Sequence, residues 1–500
     1  MSVIKKLAGQ TAIYGVSSMF ARILNFLLTP LYVTSFSTAQ YGEVSELYAN
    51  VAFFMVLLGF GMETAFFRFS KTEENKDSVY STALTFIATF SGLFILLGFL
   101  FTQPIANLIG YASRPDFIIY LALILGLDAF ASIPMAKLRN ENKAKKFAQI
   151  NLINIGTNIF FNLLFIAYAK TSFDHGNKTA LVELLYRPEI GIGYIFISNL
   201  LATGVKIILL YPEFIKVKWQ MNMKLLKNML IYSLPLMLGS FAGIINETFD
   251  RILLRRVLEP EYGVVFAKQQ VGIYSGVYKL SILISLFIQA FRYAAEPFFF
   301  ARAKEKNANE TYRTVMNYFV LAVSVMFLFI LMYLEVFKWL LPKKEYWEGL
   351  HVVPILLIAN IFLGVYYNQS IWYKLSGQTK FGAYIAIGGA IVTIVLNVIF
   401  IPILGYVASA WTTLLVYGGM MLVSYYLGQK HYPIPYNLRR SGFFLLFAIA
   451  LYGISVGFKI IFPDNILIIL SFNTFLFSFY LWFIYKLEGI DIKSLLKNKE

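Results

Sequence analysis

The sequence predicts an all-α integral membrane protein with about fourteen transmembrane helices. Hydrophobic residues make up 58% of the 500-residue chain and charged residues only 14%, whereas soluble proteins carry roughly 25% charged residues. Apolar runs of about 20 residues, the length that a helix needs to cross the hydrocarbon core, recur along the whole sequence. No long polar block separates them, so the sequence leaves no room for a sizeable soluble enzymatic domain.

The first apolar run is predicted to be a retained helix rather than a cleaved signal peptide. Lys5 and Lys6 precede it, but Arg22 interrupts it and no small-residue cleavage site follows. The fourteen predicted spans lie near 11–35, 44–67, 79–101, 117–136, 147–169, 190–210, 229–249, 271–298, 315–340, 352–373, 381–404, 407–428, 441–462 and 466–485.

A basic, partly apolar stretch at 211–228 falls midway through the first twelve helices and is predicted to lie along the membrane surface. It separates an N-terminal lobe, 1–210, from a C-terminal lobe, 229–428. Helices 13 and 14, within 441–485, and a cytoplasmic tail, 486–500, follow.

The distribution of basic residues predicts the orientation. The net charge of +16 is scattered in short clusters between apolar runs, which is typical of loops facing an anionic cytoplasmic leaflet and not of a nucleic-acid site. Most of these clusters fall in alternate connecting segments, so both termini are predicted to be cytoplasmic. The predicted outer loop at 250–270 carries a smaller basic set: Arg251, Arg255, Arg256 and Lys268.

Motifs for catalysis and for cofactors are absent from the sequence. With no cysteine there are no disulfides, thiol nucleophiles or Cys-ligated metals. The chain has no P-loop, no G-x-S-x-G elbow and no H-E-x-x-H pair. We therefore expect a transporter with no cofactor and no metal site, leaving open coupling to Na⁺ or H⁺.

Polar side chains in the first predicted helix indicate a cavity. A charge at the bilayer centre costs about 2.5–3.5 kcal/mol on insertion scales, so it usually faces protein or water. Arg22 lies near the middle of this helix and shares a face with Asn25 and Thr29. The stripe predicts a cavity wall; the alternative is an arginine paired with an acid to fix helix packing.

Asparagines mark one face of the fifth predicted helix. Asn151, Asn154, Asn158 and Asn162 fall within an arc of roughly 80°. They either hydrogen-bond to a neighbouring helix or bind a hydroxyl-rich ligand, since each amide offers a donor and an acceptor.

Further charges lie in or beside other predicted helices. Lys279 is deep in the eighth helix, whereas Arg292 and Glu296 approach its cytoplasmic end, where snorkelling is the alternative reading. Asp250 and Arg251 form either an interfacial ion pair or a ligand site. The candidates for gating or ion coupling are Glu63, Asp128, Glu247, Asp250 and Glu296.

Several short motifs, taken together, resemble the polysaccharide-biosynthesis flippases of the Wzx type, which belong to the multidrug/oligosaccharidyl-lipid/polysaccharide exporter (MOP) superfamily. The strongest is the run from Val271 to Tyr274 followed by Ser275, with Tyr278-Lys279 after it. The others, in chain order, are Pro30-Leu31-Tyr32, Tyr41-Gly42, Leu138-Arg139, Tyr232-Ser233-Leu234-Pro235, Asp250-Arg251 and Gly405-Tyr406-Val407-Ala408-Ser409-Ala410.

The resemblance implies two six-helix lobes in a V shape plus two C-terminal helices, around a cationic cavity that opens alternately to either side. It also implies a polyprenyl-pyrophosphate-linked oligosaccharide as cargo, the bacterial cytoplasmic membrane as location, and a polysaccharide polymerase and chain-length machinery as partners. Arg22 and Lys279 match the place of pyrophosphate-binding cations; Asn25, Asn154, Asn158 and Arg292 complete the expected cavity set.

Two other functions remain open at this stage. A drug or metabolite antiporter of the same fold would need acidic residues deep in the cavity, whereas the deepest charge here is basic. A membrane glycosyltransferase or polymerase would place catalytic residues in a large outer loop, and the predicted outer loops are short.

Overall fold

The computed structural model describes residues 23–24, 26–73, 75–303, 305, 307–463 and 465–488. Within this part the chain is helical and contains no β-strand. Thirteen helices are long and apolar enough to cross a membrane. A fourteenth element, α1, contributes its described end, Thr29–Ser35.

The thirteen long helices correspond in order to the second through fourteenth predicted spans, and the prediction of an all-α membrane protein with about fourteen helices is confirmed. We number them α2 Thr38–Thr72, α3 Lys76–Leu100, α4 Asp116–Asn140, α5 Ala144–Asp174, α6 Gly193–Phe214, α7 Met223–Tyr262, α8 Val264–Arg302, α9 Ala308–Met332, α10 Lys344–Leu375, α11 Lys380–Leu404, α12 Tyr406–His431, α13 Leu438–Ile461 and α14 Ile466–Glu488.

The largest difference from the predicted spans concerns α7 and α8. They contain 40 and 39 residues, about 60 Å each at 1.5 Å per residue, and only Gly263 separates them. The predicted outer loop at 250–270 is therefore wrong: its arginines are helical, and Arg251 and Arg255 are buried. A hydropathy window ends a span at such charges, because it cannot register that Asp250 pairs with Arg251 and that Glu46 of α2 pairs with Arg255.

The helices pack as two groups. Helices α3 to α6 pack against one another, and α2 packs on α4; the core of this N-terminal lobe includes Phe117, Ile166 and Phe196. The C-terminal lobe is organised by α7 with α11, α10 with α12, and α8 with α10. Helix α14 joins it through the Tyr480 hydroxyl, which donates to Ser324 Oγ of α9 at 2.9 Å.

The segment between the lobes, 215–222, is shorter than the predicted linker and is attached to the first turns of α3. The hydroxyl of Ser81 donates to the carbonyl of Gln220 at 2.8 Å, and the amide of Asn222 donates to Thr82 Oγ1 at 3.1 Å. Trp219, within this segment, is exposed, as suits a segment at the membrane surface.

Helix α2 is the N-terminal lobe's main contact with the other lobe, since it packs on both α7 and α8. It bends at Phe60 and Gly61, whose φ angles are both positive. Its crossing with α8 is so close that a Cβ on Gly42 would lie 2.0 Å from the carbonyl oxygen of Lys268, and a Cβ on Gly272 would lie 2.0 Å from that of Thr38. The motif glycines therefore bring the two backbones into contact.

Candidate functional site: a cavity between the lobes

A cavity of about 530 Å³ lies between the two lobes, within the range of small-molecule sites. Helices α1, α2, α5 and α6 form one side and α7, α8 and α10 the other. Its polar and aromatic lining comprises Thr29, Tyr32, Tyr41, Ser45, Tyr48, Asn154, Asn158, Asn199, Glu247, Thr248, Arg251, Ser275, Tyr278, Lys279, Ser285, Gln289, Asn360 and Tyr367.

Arg251 is held at the cavity wall by its neighbours on α7 and α8. Its guanidinium Nη1 donates to Asp250 Oδ1 at 2.8 Å and to the carbonyl of Glu247 at 2.7 Å. The hydroxyl of Tyr274 donates to the other Asp250 oxygen at 2.7 Å, and the guanidinium carbon lies 4.4 Å from the centre of the Tyr278 ring. These contacts fix Arg251 with part of its fork directed to the cavity, a geometry suited to phosphate oxygens.

Lys279 is the second cation of the cavity and lies one turn beyond Ser275 on α8. It is half-buried, and in the described part of the chain it forms neither an ion pair nor a hydrogen bond. Glu247 also lines the cavity without an ion pair to the described residues. Lys279 is therefore available to an anionic ligand at the same wall as Arg251.

The α5 asparagines have different surroundings along the helix. Asn162 is fully buried: its Oδ1 accepts from the Tyr32 hydroxyl at 2.9 Å and its Nδ2 donates to Asn158 Oδ1 at 3.0 Å. Asn158 and Asn154 line the cavity, whereas Asn151 does not. The stripe therefore divides: Asn162 hydrogen-bonds to the neighbouring α1, whereas Asn154 and Asn158 line the cavity.

Above the cavity, at the predicted outer end, a buried ion pair joins the lobes. Arg255 of α7 is 0% exposed, and its Nη1 donates to both oxygens of Glu46 of α2, at 3.0 and 2.8 Å. Its Nη2 donates to the carbonyl of Gly110 at 2.9 Å, and the Tyr111 hydroxyl donates to Glu46 at 2.7 Å. Burial, reinforced by the charge of Glu46, raises the pKa of the Tyr111 phenol, so it stays a donor.

Further polar contacts between the lobes surround this ion pair. Lys268 of α8 donates to Glu43 of α2 at 2.6 Å, and Lys343 donates to the carbonyl of Phe36 at 2.6 Å. Together with the crossing at Gly42 and Gly272, they close the cavity at this end.

The remaining predicted residues lie elsewhere. Arg292 stacks over the ring of Tyr367, 4.8 Å from its centre, and lines a separate small cavity between α8 and α10. Glu63 pairs with Arg139 at the surface, and Asp128 pairs with Lys206 of α6 within the N-terminal lobe. Arg22, Asn25 and the side chain of Glu296 lie outside the described residues.

Sequence reasoning missed four groups of the site. Glu46 was not distinguished from other acids near a helix start, and Arg255 was assigned to a loop. Asn199 is a single amide in an apolar helix, so it forms no pattern with its neighbours. The cavity tyrosines are hidden in a sequence with 33 tyrosines.

The described residues contain no group of three His, Asp or Glu side chains that could hold a metal ion. What the geometry offers instead is a cavity with a cationic side and a neutral amide side, closed at one end by contacts between two helical lobes. These features define a membrane transport protein of two lobes around a central ligand cavity.

Comparison with known proteins identifies the family. Residues 7–301 match the model of the polysaccharide biosynthesis protein family, and the chain belongs to that family. It is 21% identical over 423 residues to the Lsg locus putative protein 1 of Haemophilus influenzae, covering 81% of this chain and 95% of that protein.

Solved structures show the same fold. The lipid II flippase MurJ in an inward closed conformation superposes with a TM-score of 0.68 at 15% identity, covering 94% of this chain and 98% of that chain. An inward-facing multidrug resistance MATE family transporter of the MOP superfamily gives a TM-score of 0.63 at 15% identity, with coverages of 86% and 94%. The predicted polysaccharide biosynthesis family is confirmed, and family and fold support a transporter rather than an enzyme.

Proposed function

We propose that this protein flips a polyprenyl-pyrophosphate-linked oligosaccharide from the cytoplasmic to the outer face of the bacterial cytoplasmic membrane, for surface polysaccharide synthesis. O-antigen, capsule and exopolysaccharide are the products that such a step serves. The observation that carries the proposal is the pair of cations, Arg251 and Lys279, on one wall of a cavity enclosed by two lobes.

The chemistry of the cargo explains why these cations are needed. A pyrophosphate carries negative charge that the hydrocarbon core does not solvate, so its passage needs fixed positive charge on the protein. Arg251 is pre-oriented by Asp250 and Tyr274, and Lys279 adds a mobile point charge. The apolar tail stays in lipid and needs no site inside the cavity.

The transport cycle follows from the closed end. With the lobes joined at Glu46 and Arg255, the head group enters from the cytoplasmic end, and separation of these contacts releases it outside. Both termini are then cytoplasmic. A Na⁺ or H⁺ gradient drives the cycle, with Glu247 as the carboxylate nearest the cargo, and a polymerase with its chain-length partner receives the product.

The test measures the lipid-linked oligosaccharide pool, and its access from the periplasm, in a deletion strain carrying wild-type, Lys279→Gln or Lys227→Gln protein. Lys227 is an exposed residue at the start of α7 and serves as the control. We expect Lys279→Gln to leave the complete lipid-linked unit on the cytoplasmic face at unchanged protein abundance, and Lys227→Gln to behave as wild type.

Other outcomes identify the alternatives. A complete unit that reaches the outer face but is not polymerised in the deletion strain would indicate a polymerase. An unchanged pool and sidedness would contradict the glycan cargo and leave an ion-coupled drug or metabolite antiporter.

A further inference from the structure

We infer that the wall formed by α2, α5 and α6 is a glycan-binding surface distinct from the pyrophosphate-binding wall, with Asn154, Asn158 and Asn199 as its specificity-determining residues. This inference rests on the proposed function. It assigns the two chemically different parts of one head group to two walls of the cavity, one formed by α2, α5 and α6 and the other by α7 and α8.

The charge distribution of the cavity supports this division. Glu247, Arg251 and Lys279 are the charged residues among its described lining, and all three belong to α7 and α8. The facing wall, contributed by three fully described helices, is uncharged: Tyr41, Val44, Ser45, Tyr48, Ala49, Asn154, Ile155, Asn158 and Asn199. A pyrophosphate gains little from this surface compared with the cations opposite.

Two amides of this wall, Asn154 and Asn199, have hydrogen-bonding capacity to spare. Asn154 makes no hydrogen bond with the described residues, although its amide offers two donors and an acceptor. Asn199 uses one donor, Nδ2, on the Tyr48 hydroxyl oxygen at 3.2 Å, which leaves its carbonyl oxygen and the Tyr48 proton available. Such paired donors and acceptors match the hydroxyl groups of a sugar, each of which both donates and accepts.

The aromatic rings on the same wall complete this chemistry. Tyr41 and Tyr48 line the same wall as the amides, and the carbon-bound hydrogens on the face of a sugar ring pack well on aromatic rings. On the opposite wall Asn360 is already bonded to Ser285 at 2.8 Å and to the carbonyl of Leu356 at 2.8 Å. Gln289 is the amide of that wall that makes no hydrogen bond with the described residues.

The experiment compares two ligands on the same protein. Wild-type protein and Asn154→Ala/Asn199→Ala protein, purified in lipid nanodiscs, are titrated with glycan-free undecaprenyl pyrophosphate and with lipid-linked oligosaccharide extracted from the host strain. We expect the double variant to bind the glycan-bearing lipid about tenfold more weakly or worse, because two hydrogen bonds are lost. Its affinity for the glycan-free lipid should equal that of wild type.

Asn151→Ala is the matched control, since it removes the same side chain from the same helix one turn away from Asn154 and outside the cavity lining. It should leave both affinities unchanged. Equal losses for both lipids in the double variant, or no loss for either, would overturn the glycan-binding wall. Wild-type protein that binds neither lipid would contradict the proposed function itself, and the two failures are thereby distinguished.

Discussion

Two arginines one turn apart on α7 lie in regions of opposite character. Arg255 is fully buried and every contact it makes, with Glu46, Glu259 and the carbonyls near Gly110, is internal to the protein. Arg251 is also paired with an acid, yet it lines a cavity that holds space for a ligand. The closed end of the cavity thus uses charge to join the lobes, whereas the cavity wall keeps charge available for a ligand.

The difference follows from where each acid comes from. Arg255 pairs with Glu259 of its own helix and with Glu46 of the other lobe, and the pair with Glu46 must break when the lobes separate there. The partner of Arg251 is the preceding residue on the same helix, so this pair survives any movement of the lobes. The first pair can therefore act as a closure, and the second as a permanent anion site.

The largest expected effect comes from the backbone contact of the closed end. Gly272→Ala adds a Cβ that would lie 2.0 Å from the Thr38 carbonyl oxygen. Because this distance is a clash, α2 and α8 must move apart, and we expect transport to be lost. Because the chain has no cysteine, a single Ser45→Cys reporter in the cavity can be tested with a membrane-impermeant maleimide applied outside. We expect labelling only in the Gly272→Ala background.

Gly243→Ala is the control for that substitution, since an added Cβ at this α7 glycine meets no atom within 4 Å. It should leave the reporter protected. If Gly272→Ala also left the reporter protected and transport intact, the crossing would not be what closes the outer end.

The buried ion pair should give the next largest effect. Arg255→Ala leaves the buried Glu46 carboxylate without its cation, which costs about 3–5 kcal/mol. Glu46→Ala should cost less, because Arg255 keeps its ion pair with Glu259. The double substitution should lower the unfolding temperature in detergent by much less than the sum of the single changes, because the two residues interact directly. The exposed ion pair between Glu310 and Arg313 is the comparison. Removing either of its residues should lower the free energy of unfolding by less than about 1 kcal/mol. Additive losses at Glu46 and Arg255 would mean that they act independently.

At the cavity, Asp250→Asn tests whether the acid positions Arg251. The amide keeps the shape of the carboxylate but loses its charge, so the guanidinium is less firmly oriented. We expect about a tenfold loss of affinity for undecaprenyl pyrophosphate, the size of one hydrogen bond to a charged group. Asp116→Asn, which disturbs a half-buried pair with Arg114 outside the cavity lining, should leave the affinity unchanged. If Asp250→Asn bound undecaprenyl pyrophosphate as tightly as Asp116→Asn does, Asp250 would not be needed to position Arg251.

The sequence predicted the membrane fold well, because hydrophobic runs of membrane length are a local property of the chain. It also indicated Lys279 and Asn154, since a charge or an amide stripe in an apolar helix is visible without knowing its neighbours. It failed at α7, where Arg251 and Arg255 ended the predicted span. Arg255 is buried through its pair with Glu46 of α2, and Arg251 is covered by Tyr274 and Tyr278 of α8. No single window of sequence contains these contacts between helices.

The predicted coupling acids show the same limit. Glu63 and Asp128 were selected because acids in apolar helices are rare, but the structure pairs them with Arg139 and Lys206. Only Glu247 faces the cavity without an ion pair among the described residues. A single helix shows that a charge is present, whereas its availability depends on the helix beside it.

The smallest expected effect lies at the periphery, where an ion pair neither closes the lobes nor faces cargo. Glu335, between α9 and α10, is bonded by Lys338 and by Lys459 of α13. Burial alone would raise its pKa, but these two lysines lower it below the ordinary 4.5. A lowered pKa in the folded state stabilises the protein above about pH 4.5, and this contribution disappears as the pH falls through the folded-state pKa.

Glu335→Gln should therefore lower the free energy of unfolding at pH 7 by less than about 1 kcal/mol, which a small drop in unfolding temperature reports. At a pH below the folded-state pKa of Glu335, the variant and the wild type should unfold at the same temperature. A difference from wild type that persisted unchanged at low pH would show that Glu335 acts through packing rather than through its charge.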